Sequence, residues 1–314
     1  MDATLEAYNA VTKAKLEEAR FMIKLLGLDY DGTVSDGNTY TQTQVFALAE
    51  KVLDANKSIA FVTARAATAL KVLFPPLQQL LMRKNAPVPC FIAGGNGTTL
   101  YEVKKDGLVM IYNNGFTLQQ VLCVVGVGRD VYARLQIGHN DLVEKGLRTF
   151  ETFLQDSWAG YVPDEIIYVC RPFRGELFTE EAKVTFVLPK DASLRGIIVS
   201  ELNAALGSEY CAMAGDSTYV HITRRLSEDS KAFAIKAILQ RMGLTHMQVA
   251  TFGDMPMGND KGLLSFPYSF TNAEDFIRSE PDLQAPPFVL ACSGVNPVAM
   301  VYHAVEMLIT TSQT

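Results

Sequence analysis

The sequence predicts an α/β protein: a Rossmann-like parallel sheet core that carries an inserted α+β cap domain. Three observations predict it. Short apolar runs alternate with helical stretches up to residue 97. The rhythm turns to hairpin and mixed α+β patterning over 98–224. Alternation then resumes and continues to the last helical stretch.

The first 20 residues read as an amphipathic helix, and Phe21–Leu28 as a buried strand. A helical stretch from Thr43 to Ala55 leads to a second strand, Ser58–Val62, which ends at Thr63-Ala64-Arg65. A helix from Ala66 is expected to break at Pro75-Pro76. A third strand, Val88–Ala93, runs into Gly94-Gly95-Asn96-Gly97. Runs at Thr99–Val103 and Leu108–Tyr112 flank Lys104-Lys105-Asp106-Gly107, a hairpin signal taken as the start of the insert. Helical periodicity follows at 117–135 and 140–154, then strand-like runs at 165–170, 183–188 and 218–223, with a helix at 192–206. The return to the core brings a helix at Asp229–Met242, strands at Gln248–Phe252 and Phe288–Ala291, and a helix at Pro297–Ile309. The expected organisation is an N-terminal helix (1–20), a discontinuous core (21–97 and 225–314) and a cap domain (98–224).

The 314 residues suffice for one large domain or two ordinary ones, and 48% hydrophobic residues suffice for a core. A net charge of −6 without a basic block excludes nucleic acid and anionic membrane as expected partners. No apolar run reaches the length of a membrane span, and the N-terminus lacks the regions of a signal peptide. The five cysteines (90, 123, 170, 211, 292) are scattered, without metal spacing, as free thiols in a reducing cytoplasm are. A cytoplasmic location is therefore expected. Oligomeric state is not legible.

Asp29-Tyr30-Asp31-Gly32-Thr33 is the most telling stretch. Two carboxylates stand where the first strand ends, and ligands of open α/β sheets bind outside the carboxyl ends of strands. Residues two apart on a strand face one side, and two like charges so close call for a cation or a shared proton. That suits a hard-metal site with a carboxylate nucleophile, although Asp-Gly is also an ordinary turn pair. The pattern is not a calcium loop of EF-hand type. Thr63, at the end of the second strand, either donates to an anionic oxygen or caps the following helix. Lys231, early in its helix, opposes the macrodipole, which hints at a compensating anion. Lys236 lies ~140° around that helix, so both lysines cannot serve one site. Gly253-Asp254 closes another buried strand, and its loop continues to Gly258-Asn259-Asp260.

This ordered set resembles the haloacid dehalogenase superfamily of phosphohydrolases. Asp29–Thr33 resembles its first motif, Thr63-Ala64-Arg65 the second, Lys231 the third, and Gly253-Asp254 with Asn259-Asp260 the fourth. The long insert resembles the type IIB branch, which holds sugar-phosphate phosphatases and phosphomannomutases. The resemblance implies that Asp29 attacks phosphorus to form an aspartyl-phosphate, and that Asp31 serves as acid and then base. It implies Mg²⁺ held by the Asp29 carboxylate, the Asp31 backbone carbonyl and Asp254, with Thr63 and Lys231 on the phosphoryl oxygens. Asn259 and Asp260 are candidates for a supporting role around the metal. Ala64 replaces the usual Gly of the second motif. The loop from Asp254 to Asn259 is two residues longer than in the usual phosphatase, as it also is in the mannomutases.

The implied activity is Mg²⁺-dependent hydrolysis of a small phosphomonoester, expected to be a phosphorylated sugar, with the insert as a lid. Arg171, Arg174, Lys183 and His221 are polar candidates in the insert, and Tyr112, Trp158 and Tyr161 are aromatic ones. Two alternatives stand beside it. One is a phosphosugar mutase, needing an arginine cluster for a second phosphate. The other is a non-catalytic phosphosugar-binding regulator. No Gly-x-x-x-x-Gly-Lys loop or Gly-x-Ser-x-Gly elbow is present, and Gly126-Val127-Gly128 lacks the later glycine of a dinucleotide site.

Overall fold

Leu25-Leu26-Gly27-Leu28 has no polar side chain to offer water, and it forms the buried strand β1 (Leu25–Leu28) at the middle of the main sheet. The computed structural model describes residues 3–65, 67–135, 167–170, 183–187, 194–214, 219–226, 230–273, 285–290 and 294–310. The main sheet also holds β2 (Ser58–Val62), β3 (Cys90–Gly94), β4 (Thr99–Lys104) and β5 (Gly107–Asn113). β10 (Val249–Gly253), β11 (Tyr268–Thr271) and β12 (Phe288–Val289) complete it, in the order β12-β11-β10-β1-β2-β3-β4-β5. The six strands from β12 to β3 run parallel, as near-continuous buried runs do when helices cover both faces.

The second sheet is antiparallel, in the order β6 (Ile167–Cys170), β7 (Lys183–Val187), β9 (Tyr219–Arg224), β8 (Tyr210–Ala214). Helices α4 (Leu118–Arg134) and α5 (Leu194–Leu206) pack on it around Val124, Val131, Phe186, Ile198, Leu202 and Ile222. A Cβ at Gly128 would fall inside the Phe186 ring, so this glycine serves helix–sheet packing.

Three differences from the sequence-based expectation have physical causes. The hairpin β4–β5 belongs to the main sheet, because β4 pairs antiparallel with β3 from Cys90↔Val103 to Gly94↔Thr99. The two strands expected to open the insert are thus paired into the main sheet. The helix expected to stop at Pro75-Pro76 continues as α3 (Ala67–Lys84). Its apolar stripe Leu73, Leu77, Leu80 and Leu81 stays buried across the prolines. The carbonyl of Val72, which Pro76 cannot serve, accepts from Gln42 Nε2 at 2.7 Å. Strands β8 and β11 were not foreseen. Tyr210–Ala214 does not alternate, and Tyr268–Thr271 mixes Ser and Thr into a run that is nevertheless buried.

The remaining helices are α1 (Ala3–Ala19), α2 (Gln42–Asp54), α6 (Ser230–Met242) and α7 (Pro297–Ile309). Each lies within a few residues of its expected span. The helical stretch expected at 140–154 lies outside the described residues. No described helix is long and apolar enough to cross a membrane, and among the described residues Cys90, Cys123 and Cys211 form no disulfide.

Candidate active site

Parallel strands in register deliver their carboxyl ends to one edge. Leu28 is level with Phe252 of β10 and Phe61 of β2, so Asp29, Asp254 and Thr63 leave the sheet side by side. The backbone N–H of Asp29 still donates to Phe252 O at 2.9 Å, which seats this residue on the last rung of the ladder. Beyond it the chain turns sharply. Val34 and Ser35 donate to Tyr30 O, and Gly32 (φ 77°) donates to Ser35 O. A side chain at Gly32 would be strained in that conformation and would collide with the Asp254 carboxylate.

Helix α6 supplies Lys231. Ile235, one turn further along the same face, packs over Gly27, where an added Cβ would lie 2.6 Å from Ile235 Cδ1. The missing side chain lets α6 approach β1 and brings Lys231 to Asp29. Lys231 is fully buried and donates to Asp29 Oδ1 at 2.7 Å and to Asp260 Oδ1 at 2.5 Å.

Asp260 fixes the loop after β10. Its Oδ2 accepts from the N–H groups of Asp254 and Met255, both at 3.0 Å. The longer loop thus does not displace Asp260 from the site, since it returns to bind both the loop entrance and the lysine. Asn259 takes another direction: its amide donates to Asn96 Oδ1 at 3.4 Å, and Asn96 in turn reaches Met213 Sδ of the insert.

Oxygens of Asp29, Asp254 and Asp260 lie within 4.8 Å of one another. The Thr33 hydroxyl stands between two of them, 3.4 Å from Asp29 Oδ2 and 3.2 Å from Asp254 Oδ1. Burial pushes the Asp29 carboxyl well above its ordinary range. Lys231 pulls it down, while Asp260 and Asp254 push it up. Asp254 is lifted to about 7 by burial and then by Asp260. Burial works against the Lys231 ammonium, but Asp260 and Asp29 outweigh it and hold the lysine charged. Three carboxylates facing one ammonium leave a formal excess of two negative charges. Burying unpaired charge costs several kcal/mol per ion, so the cluster either takes up protons, in the direction of the raised Asp29 and Asp254 carboxyls, or suits a divalent cation. The donors are hard carboxylate oxygens, the set that Mg²⁺ takes.

Asp31 lies apart from this cluster. Its exposed carboxylate forms a two-pronged pair with Arg65, whose Nε donates to Oδ2 at 2.7 Å and whose second prong reaches Oδ1. The Arg65 guanidinium also lies over the Tyr30 ring. Of the residues expected around a metal, the structure gathers the side chains of Asp29, Asp254 and Asp260; the contribution expected of Asp31 is its backbone carbonyl, which the position of its carboxylate does not test. Thr63 is buried, and its hydroxyl oxygen accepts from Arg65 N at 3.1 Å. It holds the turn ahead of α3 and not the first turn of the helix it was expected to cap, and its O–H keeps a proton to donate.

Sequence reasoning gave no role to Thr33, Arg65 or Asn96. Arg65 sits within the second motif, and Thr33 two residues beyond Asp31, so spacing alone offered a signal for both. The Tyr112 hydroxyl donates to Gly97 O and its ring packs on Phe233, a structural role. His221 is buried on β9, in the insert sheet. Lys183 opens β7. Arg171, Arg174, Trp158 and Tyr161 lie outside the described residues.

No family model matches the chain, and no curated protein matches it either. Solved structures do. A haloacid dehalogenase-like hydrolase from Bacteroides thetaiotaomicron superposes with a TM-score of 0.57 at 17% identity, covering 90% of this chain and 98% of that one. One from B. subtilis gives 0.57 at 12% identity, covering 90% and 99%. IMP-bound, N-terminally truncated IMP-nucleotidase from Plasmodium falciparum gives 0.56 at 12%, covering 98% and 79%. The fold, insert included, is the one these hydrolases share.

Proposed function

We propose, from the fold shared with haloacid dehalogenase-like hydrolases and the charge of the buried cluster, that this protein is a Mg²⁺-dependent phosphatase of small phosphomonoesters. One observation carries the reading. Asp29, at the end of the central strand, is buried against Lys231 within a cluster whose formal charge a divalent cation would neutralise. A phosphorylated sugar is the ester the sequence resemblance implies. That one structural relative is an IMP-bound IMP-nucleotidase supports a small phosphorylated metabolite as the substrate.

Asp29 and Asp254 would hold the ion, with Asp260 fixing the loop that presents Asp254. When bound, Mg²⁺ would supply positive charge to the transferring phosphoryl group. In the first half-reaction a carboxylate oxygen of Asp29 bonds to phosphorus while the bond to the leaving oxygen breaks. Asp31 gives that oxygen its proton, for which it must exchange its pair with Arg65. In the second half-reaction Asp31 takes a proton from water, and the water oxygen attacks phosphorus. The bond to Asp29 breaks, and inorganic phosphate leaves. Lys231 steadies the Asp29 carboxylate and adds positive charge beside the phosphoryl oxygens, and Thr63 donates its hydroxyl proton to one of them. Splitting the displacement into two steps is what covalent catalysis contributes to a reaction this slow in water.

The test is phosphate release from a panel of phosphorylated metabolites, with Mg²⁺ and with excess EDTA. Release that stops with the chelator and returns with Mg²⁺ is expected. Unchanged rates in EDTA would remove the metal, and no release from any ester would remove the phosphatase.

A further inference from the structure

The carboxyl edge of the main sheet carries one more polar side chain beside Thr63, Asp29 and Asp254. Gly253 of β10 is level with Thr271 of β11, so Asn272 leaves β11 next to Asp254. The following residue, Ala273, lines the same cavity as Asp254. Asn272 is 4% exposed, and its Nδ2 donates to Gly32 O at 2.9 Å. Gly32 lies against Asp254, whose carboxylate an added Cβ would strike. The amide is therefore held within one residue of the acidic cluster, 240 positions along the chain from the turn it grips.

Chemistry fixes which way the amide faces. A backbone carbonyl only accepts, so the nitrogen of Asn272 faces Gly32 O and its oxygen faces elsewhere. That oxygen, Oδ1, is buried and meets no donor among the described residues. A buried acceptor without a donor is costly and calls for an explanation. The charged and hydroxyl groups nearby are committed. Lys231 donates to Asp29 and Asp260, and the Thr33 hydroxyl faces Asp29 and Asp254. A phosphoryl group brings acceptor oxygens, which do not serve an amide oxygen. A water on a divalent cation does. Mg²⁺ keeps several waters when carboxylates bind it, and the ion makes each of them a stronger donor.

We infer that Asn272 is a positioning residue of the cation site: Nδ2 holds the Gly32 turn, and Oδ1 accepts a hydrogen bond from a water on the cation. Partners of this outer kind orient what the metal holds and tune its affinity. The inference rests on the divalent cation of the proposed phosphatase and adds to it a residue of β11. Asn272 touches neither the phosphoryl group nor the leaving group.

The experiment reads the metal and its water without turnover. Wild type, Asn272→Ala and Asn272→Asp are titrated with Mg²⁺ by calorimetry. The same proteins are loaded with Mn²⁺, and water relaxation gives the exchange rate of metal-bound water. Asn272→Ala should bind Mg²⁺ about tenfold more weakly or worse, the usual loss when an outer partner is removed. Its bound water should exchange about fivefold faster, the scale of one net hydrogen bond. Asn272→Asp keeps the acceptor and loses the donor to Gly32, so its exchange should stay near the wild-type rate. Weaker Mg²⁺ binding with unchanged exchange in Asn272→Ala would overturn the inference and leave Asn272 an anchor of the Gly32 turn alone. Wild-type Mg²⁺ affinity in Asn272→Ala would overturn it as well, with the cation of the proposed phosphatase still standing. Absence of Mg²⁺ binding in the wild type would remove both. Should Asn272→Ala fail to fold, Asn272→Asp decides: exchange at the wild-type rate upholds the inference, and faster exchange overturns it.

Discussion

Lys231 Nζ stands 2.7 Å from Asp29 Oδ1, across 202 positions of chain. The pair exists because Gly27 leaves room for Ile235, which lets α6 settle on β1. It places an ammonium against the carboxylate at the sheet's central edge, where both side chains are buried.

Asp29→Asn should abolish turnover, by about 10⁴-fold or more in kcat, as removal of a covalent nucleophile does. The fold should survive, since the change removes one of three clustered carboxylates and keeps the shape. Circular dichroism and phosphate release check both halves. Near-normal turnover would remove Asp29 from the role of nucleophile.

Asp260→Ala should cost about 3–5 kcal/mol in unfolding free energy, because Lys231 and two backbone N–H groups lose a buried acceptor. It should also weaken Mg²⁺ binding, since the loop bearing Asp254 loses its anchor. Urea unfolding in the presence of Mg²⁺, together with Mg²⁺ titration, measures both. A variant as stable as wild type would show that Asp260 does not hold the loop.

Gly32 and Gly37 form a controlled pair. Both have positive φ (77° and 73°), so alanine costs each about 1–2 kcal/mol of backbone strain. Only at Gly32 would the new Cβ meet the Asp254 carboxylate, and at Gly37 it meets nothing within 4 Å. Gly32→Ala should therefore lose Mg²⁺ affinity, while Gly37→Ala should lose stability alone. Equal Mg²⁺ affinity in the two variants would contradict this arrangement.

The cluster also sets a pH dependence. Burial and Asp260 raise Asp254 to about 7 in the folded protein, from 3.8 in the open chain. Between those values the folded state binds the extra proton. The stability this group contributes is thus complete below about 4 and is lost as pH rises through about 7. A divalent ion takes the place of that proton. The rise in melting temperature on replacing EDTA with Mg²⁺ should accordingly be larger at pH 8 than at pH 6. The opposite order would show that Asp254 does not bind the ion.

The alternation of short apolar runs and helical stretches was enough to place most of the main sheet. Carboxylates directly after such runs were enough to put Asp29 and Asp254 at strand ends, because burial and backbone register are local properties of a strand. Lys231 stood out for a local reason too, as a cation opposing its own helix dipole. Other features depended on contacts between distant segments, which no local period encodes. β4 and β5 joined the main sheet because β3 offered a free edge, and α3 kept its line through Pro75-Pro76 because its leucine stripe stays buried and Gln42 serves Val72 O. Asp260 came to Lys231, Arg65 took Asp31, and Asn272 came to Gly32, each across a loop or an interface. Strand ends follow from the chain's own sequence of apolar and polar residues. Which charges meet, and which amide stands beside them, was decided by how separate elements pack, since that packing sets which groups lose water together.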